Sequence, residues 1–156
     1  MKNFTLSLFG FLLMLGTASA QRTLIHCGNL LDVNTGEMRP QMTIVVEKNK
    51  ITSVEKGYTK AATGDKTVDL KNSFVLPGLI DMHVHLEGET RRGGAYDRYT
   101  QNPPDVAFLA TKHARTTLLA GFTTVRDLGG SGVNVSLRNA VNRGIVVGPR
   151  IFTAGK

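Results

Sequence analysis

The chain has 156 residues, 41% of them hydrophobic and 20% charged, with a formal net charge of +7. That composition excludes a disordered or fibrous chain and is enough for a buried core. A lone cysteine, Cys27, excludes an intrachain disulfide and any multi-cysteine zinc site, and is read as a small apolar strand residue. The Lys and Arg residues are scattered without a block of five or more, so the basic excess implies a solvated surface and no nucleic-acid partner.

Residues 1–20 have the order of a secretory leader: Lys2, an apolar run from Phe4 to Leu15, then the small residues Ala18, Ser19 and Ala20 before Gln21. The apolar run is short for a membrane span. Cleavage after Ala20 is expected, giving a secreted or periplasmic protein with no stable membrane anchor afterwards.

Residues 21–75 read as short strands separated by turns. The strands are Thr23 to Leu31, Met42 to Glu47, Ile51 to Val54, Thr67 to Leu70, and Phe74 to Val75. Breaks fall at Asn34-Thr35-Gly36, Lys48-Asn49-Lys50 and Lys71-Asn72, residue types that suit turns and left-handed backbone. A small antiparallel sheet is expected, with His26 in a structural or exposed position.

From residue 76 onward, strands alternate with helical stretches. The first strand is Leu79 to His85. A helix follows, capped by Asn102, with prolines in its first turn and an end at Gly121. Val106, Leu109, Ala110, Ala114 and Leu118 form its apolar stripe at helical spacing, with His113 beside the stripe as a packing or boundary residue. Phe122 to Leu128 is the second strand, Val135 to Arg143 a shorter helix, and Arg150 to Ala154 a third strand. Strand, helix, strand, helix, strand implies right-handed parallel crossovers, the unit of an α/β sheet or barrel.

His83 and His85 stand two residues apart in the first of these strands, so both imidazoles project from one face, about 7 Å apart along the backbone. Leu79 and Asp81 share that face, whereas Ile80, Met82 and Val84 form a wholly apolar face suited to covering helices. The polar end of the strand is its C-terminal end, where α/β barrels carry their active sites. One strand can in this way present two nitrogen donors to one metal ion.

The run Val75-Leu76-Pro77-Gly78-Leu79-Ile80-Asp81-Met82-His83-Val84-His85 resembles the entry strand of the metal-dependent amidohydrolase superfamily. Gly121-Phe122-Thr123-Thr124-Val125-Arg126-Asp127-Leu128-Gly129-Gly130 and Gly148-Pro149-Arg150 resemble the second and third strands of its branch containing imidazolonepropionase-like proteins and Xaa-Pro dipeptidases. The resemblance implies the N-terminal part of a TIM-like (β/α)8 barrel in residues 76–156, about three of eight strands, preceded by a small antiparallel β-sandwich domain in residues 21–75. It implies that His83 and His85 bind the more buried of one or two divalent metal ions, most often zinc, at about 2.0 to 2.1 Å. The activity implied is hydrolysis of carbon-nitrogen bonds by a metal-activated water, on an Xaa-Pro type dipeptide or a cyclic amide. A deaminase on the same scaffold is an alternative, as is a secreted, non-catalytic β-rich binding module in which the histidines are incidental.

Asp81 shares the ligand face and is a candidate to orient a ligand or anchor the strand. Arg126 and Asp127 point to opposite faces of the second strand, so only one can face a barrel lumen; an architectural ion pair or hydrogen bonds are expected first, and substrate contact second. Arg91, Arg92 and Tyr96 occupy the loop after the metal strand, where a substrate carboxylate could be met, although a flexible solvated loop is the plainer expectation. In the superfamily the bridging lysine or acidic equivalent, two further histidines and an aspartate come from strands four to eight, so the catalytic residues are expected beyond Lys156. Lys156 itself follows the third strand and is not that lysine. A complete barrel needs about 250 residues, so the chain is expected to be the N-terminal part of a larger enzyme and inactive alone. A small-molecule or peptide substrate is the expected partner, and homo-oligomerisation is compatible with the sequence.

Overall fold

The computed structural model describes residues 21–156, so the leader read at residues 1–20 lies outside the described residues. These residues form two compact units that divide between Leu76 and Pro77. No helix among them is long and apolar enough to cross a membrane.

The first unit is a four-stranded sheet of β1 (Arg22–Leu31), β2 (Met38–Glu47), β3 (Lys50–Lys56) and β4 (Lys66–Val75), in the order β3-β2-β1-β4. Chain direction reverses from β2 to β3 through Lys48 and Asn49, both at positive φ (46° and 64°), the backbone of a two-residue hairpin turn whose twist matches that of the strands. Cys27, Leu30, Met42 and Ile44 form the buried cluster of this unit. Burial pushes the Cys27 thiol up, away from the reactive thiolate.

Two expectations for this unit are corrected. The sheet is not wholly antiparallel: β4 runs parallel to β1, and the described residues form one mixed sheet here. Parallel pairing demands a crossover, which residues 57–65 supply. Thr43 Oγ1 donates to Gly57 O at 2.7 Å and accepts from Thr59 N, while the buried His26 meets Thr59 O through Nε2 at 3.0 Å. His26 is thus the structural residue that was expected. Second, Lys71-Asn72 does not separate two strands. It lies within β4, in a bulge where the partner changes from Leu70 opposite Cys27 to Phe74 opposite Asn29. A Cβ on Gly28 would sit 2.1 Å from Lys71 O, so glycine is what admits the bulge.

The second unit pairs β5 (Leu79–Val84), β6 (Phe122–Asp127) and β7 (Arg150–Thr153) in parallel, in the order β5-β6-β7. Helix α2 (Pro103–Leu119) packs on β6, and α3 (Val133–Asn142) packs on β7 and on α2. A turn of 3-10 helix (Gly94–Tyr96) and the short α1 (Asp97–Thr100) occupy the segment expected as a flexible solvated loop. Asp105 reaches back to the Asn102 N–H at 2.9 Å and so closes the start of α2, and Gly121 at φ 97° turns the chain from the end of α2 into β6. Ala110 and Ala114 are fully buried against Val125, Leu137 and Ile151, because small side chains let α2 lie close to the sheet.

Alternation along β5 is less regular than its sequence suggests. Pairing with β6 slips between Leu79 and Ile80, and again between Asp81 and Val84. Of the apolar set, Val84 packs against the core, whereas Ile80 and Met82 are 60% and 58% exposed rather than covered by helices. The main packing of α2 is on β6 and that of α3 on β7, which leaves these two β5 side chains open to solvent.

Two predictions come from this packing. Asp65 receives Arg22 through two hydrogen bonds of 2.7 and 3.1 Å, and the guanidinium holds its carboxyl below the usual range; Asp32, Glu55 and Asp69, in the same unit, are lowered as well. Groups that titrate lower in the folded protein than in the unfolded chain stabilise fully above the ordinary carboxyl value of about 4, and that stability is lost as pH falls through the folded values. Acid unfolding of the first unit, followed by circular dichroism, is therefore expected below about pH 4, with a shallower pH dependence in Asp65→Asn; an unchanged profile would refute the assignment. In the second unit, a Cβ on Gly78 would lie 2.1 Å from Thr123 Oγ1 and 2.7 Å from its Cβ. Gly78→Ala is expected to cost about 1–3 kcal/mol by overpacking, and denaturant titration should show Thr123→Gly recovering part of that loss.

Candidate metal centre

His83 and His85 project together at the C-terminal end of β5, their ring centroids 5.5 Å apart and their planes at 71°. Both are exposed. Asp81 turns its carboxylate onto the His83 main chain, accepting that N–H at 2.9 Å, and so steadies the strand next to the first histidine rather than its ring.

The His85 ring is more tightly defined, since Nδ1 lies 2.9 Å from the carbonyl oxygen of Gly129. A carbonyl oxygen can only accept, so Nδ1 carries the proton and the neutral ring keeps its lone pair on Nε2. Leu86, the next residue, is fastened at both polar groups of its main chain. Its N–H donates to Asp127 Oδ2 at 3.0 Å, and its carbonyl accepts from His113 Nδ1 at 3.0 Å. His113 is therefore a boundary residue of α2 that braces the chain just after β5.

Asp127 is fully buried and is hydrogen-bonded rather than ion-paired in the interactions described. Besides Leu86, it accepts through Oδ1 from Gly129 N at 3.0 Å and from Asn134 Nδ2 at 3.1 Å. Arg126, on the opposite face of β6, is exposed. Glu87 spans the same two loops: its carboxylate takes the N–H of Ser131 at 2.6 Å and of Asn134 at 2.8 Å, so it serves the open N-terminus of α3, where Gly132 has no capping side chain. A Cβ on Gly130 would come within 2.5 Å of that carboxylate, so glycine makes room for it.

The sequence reading missed the linking role of Glu87 and Asn134. Glu87 stands two residues after His85, and Asn134 opens a helix just past Gly132, which marks them as local polar residues only. Their convergence is between segments more than forty residues apart. Arg91, expected as a receiver for a substrate carboxylate, is occupied by Asp97, with Nη2 at 2.8 Å from each carboxylate oxygen. A cleft of about 490 Å³ beside this segment is lined by Glu87, Glu89, Arg91, Asp97, Lys112 and His113 among others, and not by His83 or His85. The histidine pair, not the cleft, is the candidate site.

No group of three or more His, Cys, Asp or Glu side chains among the described residues could hold a metal ion. The two imidazoles nonetheless fit a divalent ion as part of a ligand set. They are nitrogen donors on one strand end, and one of them has its tautomer set for Nε2 ligation.

The amidohydrolase family model matches residues 74–156. A crystal structure of a Xaa-Pro dipeptidase with bound methionine in its active site is similar over 87% of this chain and 34% of its own, with 42% identity and a TM-score of 0.81. A dihydroorotase of Trichlorobacter lovleyi is 40% identical over 63 residues, 40% of this chain and 14% of that protein. An adenine deaminase of Clostridium perfringens is 29% identical over 77 residues, 49% of this chain and 12% of that protein. The chain thus spans about a third of the solved dipeptidase and about a seventh of the dihydroorotase. With its mixed α/β fold matching the N-terminal part of such structures, and the match reaching from Phe74 through both histidines to Lys156, the chain belongs to the amidohydrolase family.

Proposed function

We propose that the protein is a metal-dependent hydrolase of carbon-nitrogen bonds, and that His83 and His85 are two of its metal ligands. The observation that carries this reading is the pair itself: two imidazoles 5.5 Å apart at the C-terminal end of a parallel strand, within the segment that matches the family. Zinc is the metal best suited to such neutral nitrogen donors, as one ion or two. A bound divalent cation supplies Lewis acidity at a scissile carbonyl and makes water acidic enough to act as nucleophile near neutral pH. The chain's own residues bind and orient. His83 and His85 donate, Gly129 fixes the tautomer of His85, and Asp81 holds the main chain at His83. In this reading β5, β6 and β7 are the first three strands of a (β/α)8 barrel, preceded by a small β domain.

Among substrates we favour a peptide of the Xaa-Pro type. The similarity to the dipeptidase extends over 87% of the chain at 42% identity, whereas the dihydroorotase similarity covers 40% of it. Export through the leader at residues 1–20 agrees with peptide scavenging. Deamination is the second reading, favoured by the similarity to an adenine deaminase.

The test uses the full-length protein and two measurements. Elemental analysis is expected to find zinc or another divalent ion, and His83→Ala, His85→Ala is expected to lower both metal content and kcat/KM by more than the ~100-fold typical of losing an outer partner alone. Unchanged metal stoichiometry in the double variant would remove the two histidines from the site. Release of proline from Xaa-Pro dipeptides supports the favoured substrate; ring opening of a cyclic amide or ammonia release from adenine, without proline release, overturns it.

A further inference from the structure

We infer that Asp127 is the positioning residue for His85. One carboxylate controls both ends of the segment that aims this imidazole. Oδ2 holds the Leu86 N–H at 3.0 Å, fixing the main chain immediately after the histidine. Oδ1 holds the Gly129 N–H at 3.0 Å, fixing the residue whose carbonyl oxygen receives His85 Nδ1 at 2.9 Å. Asp127 is reached by neither histidine ring in the interactions described; it acts through the backbone on either side of the ring.

Three features make this a built device rather than an incidental loop. Asp127 is wholly buried, as is Asn134, which donates to the same Oδ1 at 3.1 Å and to Gly155 O at 2.9 Å. All three contacts at the carboxylate are N–H donors, so rotation of the side chain has nothing equivalent to gain. Gly129 has φ 117°, a backbone that other residues rarely adopt, and this turns its carbonyl toward the ring. The consequence is chemical. A neutral histidine free in water prefers the proton on Nε2, whereas the Gly129 carbonyl requires it on Nδ1 and leaves Nε2 bare for a metal. Asparagine at position 127 cannot replace aspartate, because its amide would face either the Leu86 N–H or the Gly129 N–H donor to donor.

This inference rests on His85 being a metal ligand, but its primary readout does not require a metal. In the metal-free full-length protein labelled with 15N-histidine, long-range 1H–15N correlation above the histidine titration range is expected to show His85 as a single Nδ1–H tautomer. In Asp127→Asn it is expected to show a mixture or the Nε2–H form. Zinc affinity, measured by chelator competition, should fall about 10- to 100-fold, with activity recovering at saturating zinc. Asn134→Ala, which removes one of the two donors on Oδ1, carries the test should Asp127→Asn not fold; a measurable Nε2–H population is expected there too. A wild-type His85 protonated on Nε2, or a folded variant that keeps both the wild-type tautomer and affinity, overturns the inference. If wild type and variant show the expected tautomers and the wild type binds no divalent metal, the positioning role stands and the proposed metal site falls.

Discussion

The Asp127 carboxylate, buried where β6 ends, is met by three N–H donors from three separate segments: Leu86 after β5, Gly129 after β6 and Asn134 in α3. Burying a carboxylate costs several kcal/mol unless its oxygens are satisfied, while each hydrogen bond to a charged group contributes about 1.5–3 kcal/mol. The group thus ties three segments to one buried point, which makes it a condition on the geometry of the strand ends and not merely one contact among many. Glu87 repeats the logic at the rim, joining the segment after β5 to the start of α3 through Ser131 and Asn134.

That arrangement connects packing to chemistry. Parallel pairing of β5 with β6 brings the ends of the two strands side by side, and the residues just beyond them become partners. The outcome is a pair of exposed imidazoles, the second of them followed directly by the buried Leu86, whose N–H and carbonyl are both hydrogen-bonded. The hydrogen bonds at Leu86 and at the His85 ring limit how far that imidazole strays. On the opposite side, His113 donates to Leu86 O, so α2 too contributes to the position of the strand end.

Elements with a strong period and clear punctuation were legible in the chain. Helix α2 lies where its stripe, the Asn102 cap and Gly121 place it, and the alternation of strand and helix after Pro77 emerges as a parallel sheet. Direction and register were not legible. A two-residue period is the same in parallel and antiparallel strands, so the parallel return of β4 beside β1 was read as antiparallel. Lys71-Asn72 has the residue types of a turn, but tertiary pairing used them for a bulge within one strand. Slips between β5 and β6 likewise arise from pairing between chain segments, which no single segment encodes.

By itself the sequence determined the kind of chemistry on offer: two histidines at the spacing that puts both on one strand face, embedded in Pro77-Gly78 before and Thr123 to Gly130 after, because the alternation of side chains along a strand is a local property. The glycines at 78 and 130 are also explained only by neighbours distant in sequence, Thr123 and Glu87, whose atoms occupy the space a Cβ would take. Tertiary structure alone decided which nitrogen of His85 is free and what Asp127 does. Both depend on a peptide carbonyl and a buried carboxylate reaching across more than forty residues, and hydrogen-bond partners at that separation are chosen by how the strands pair.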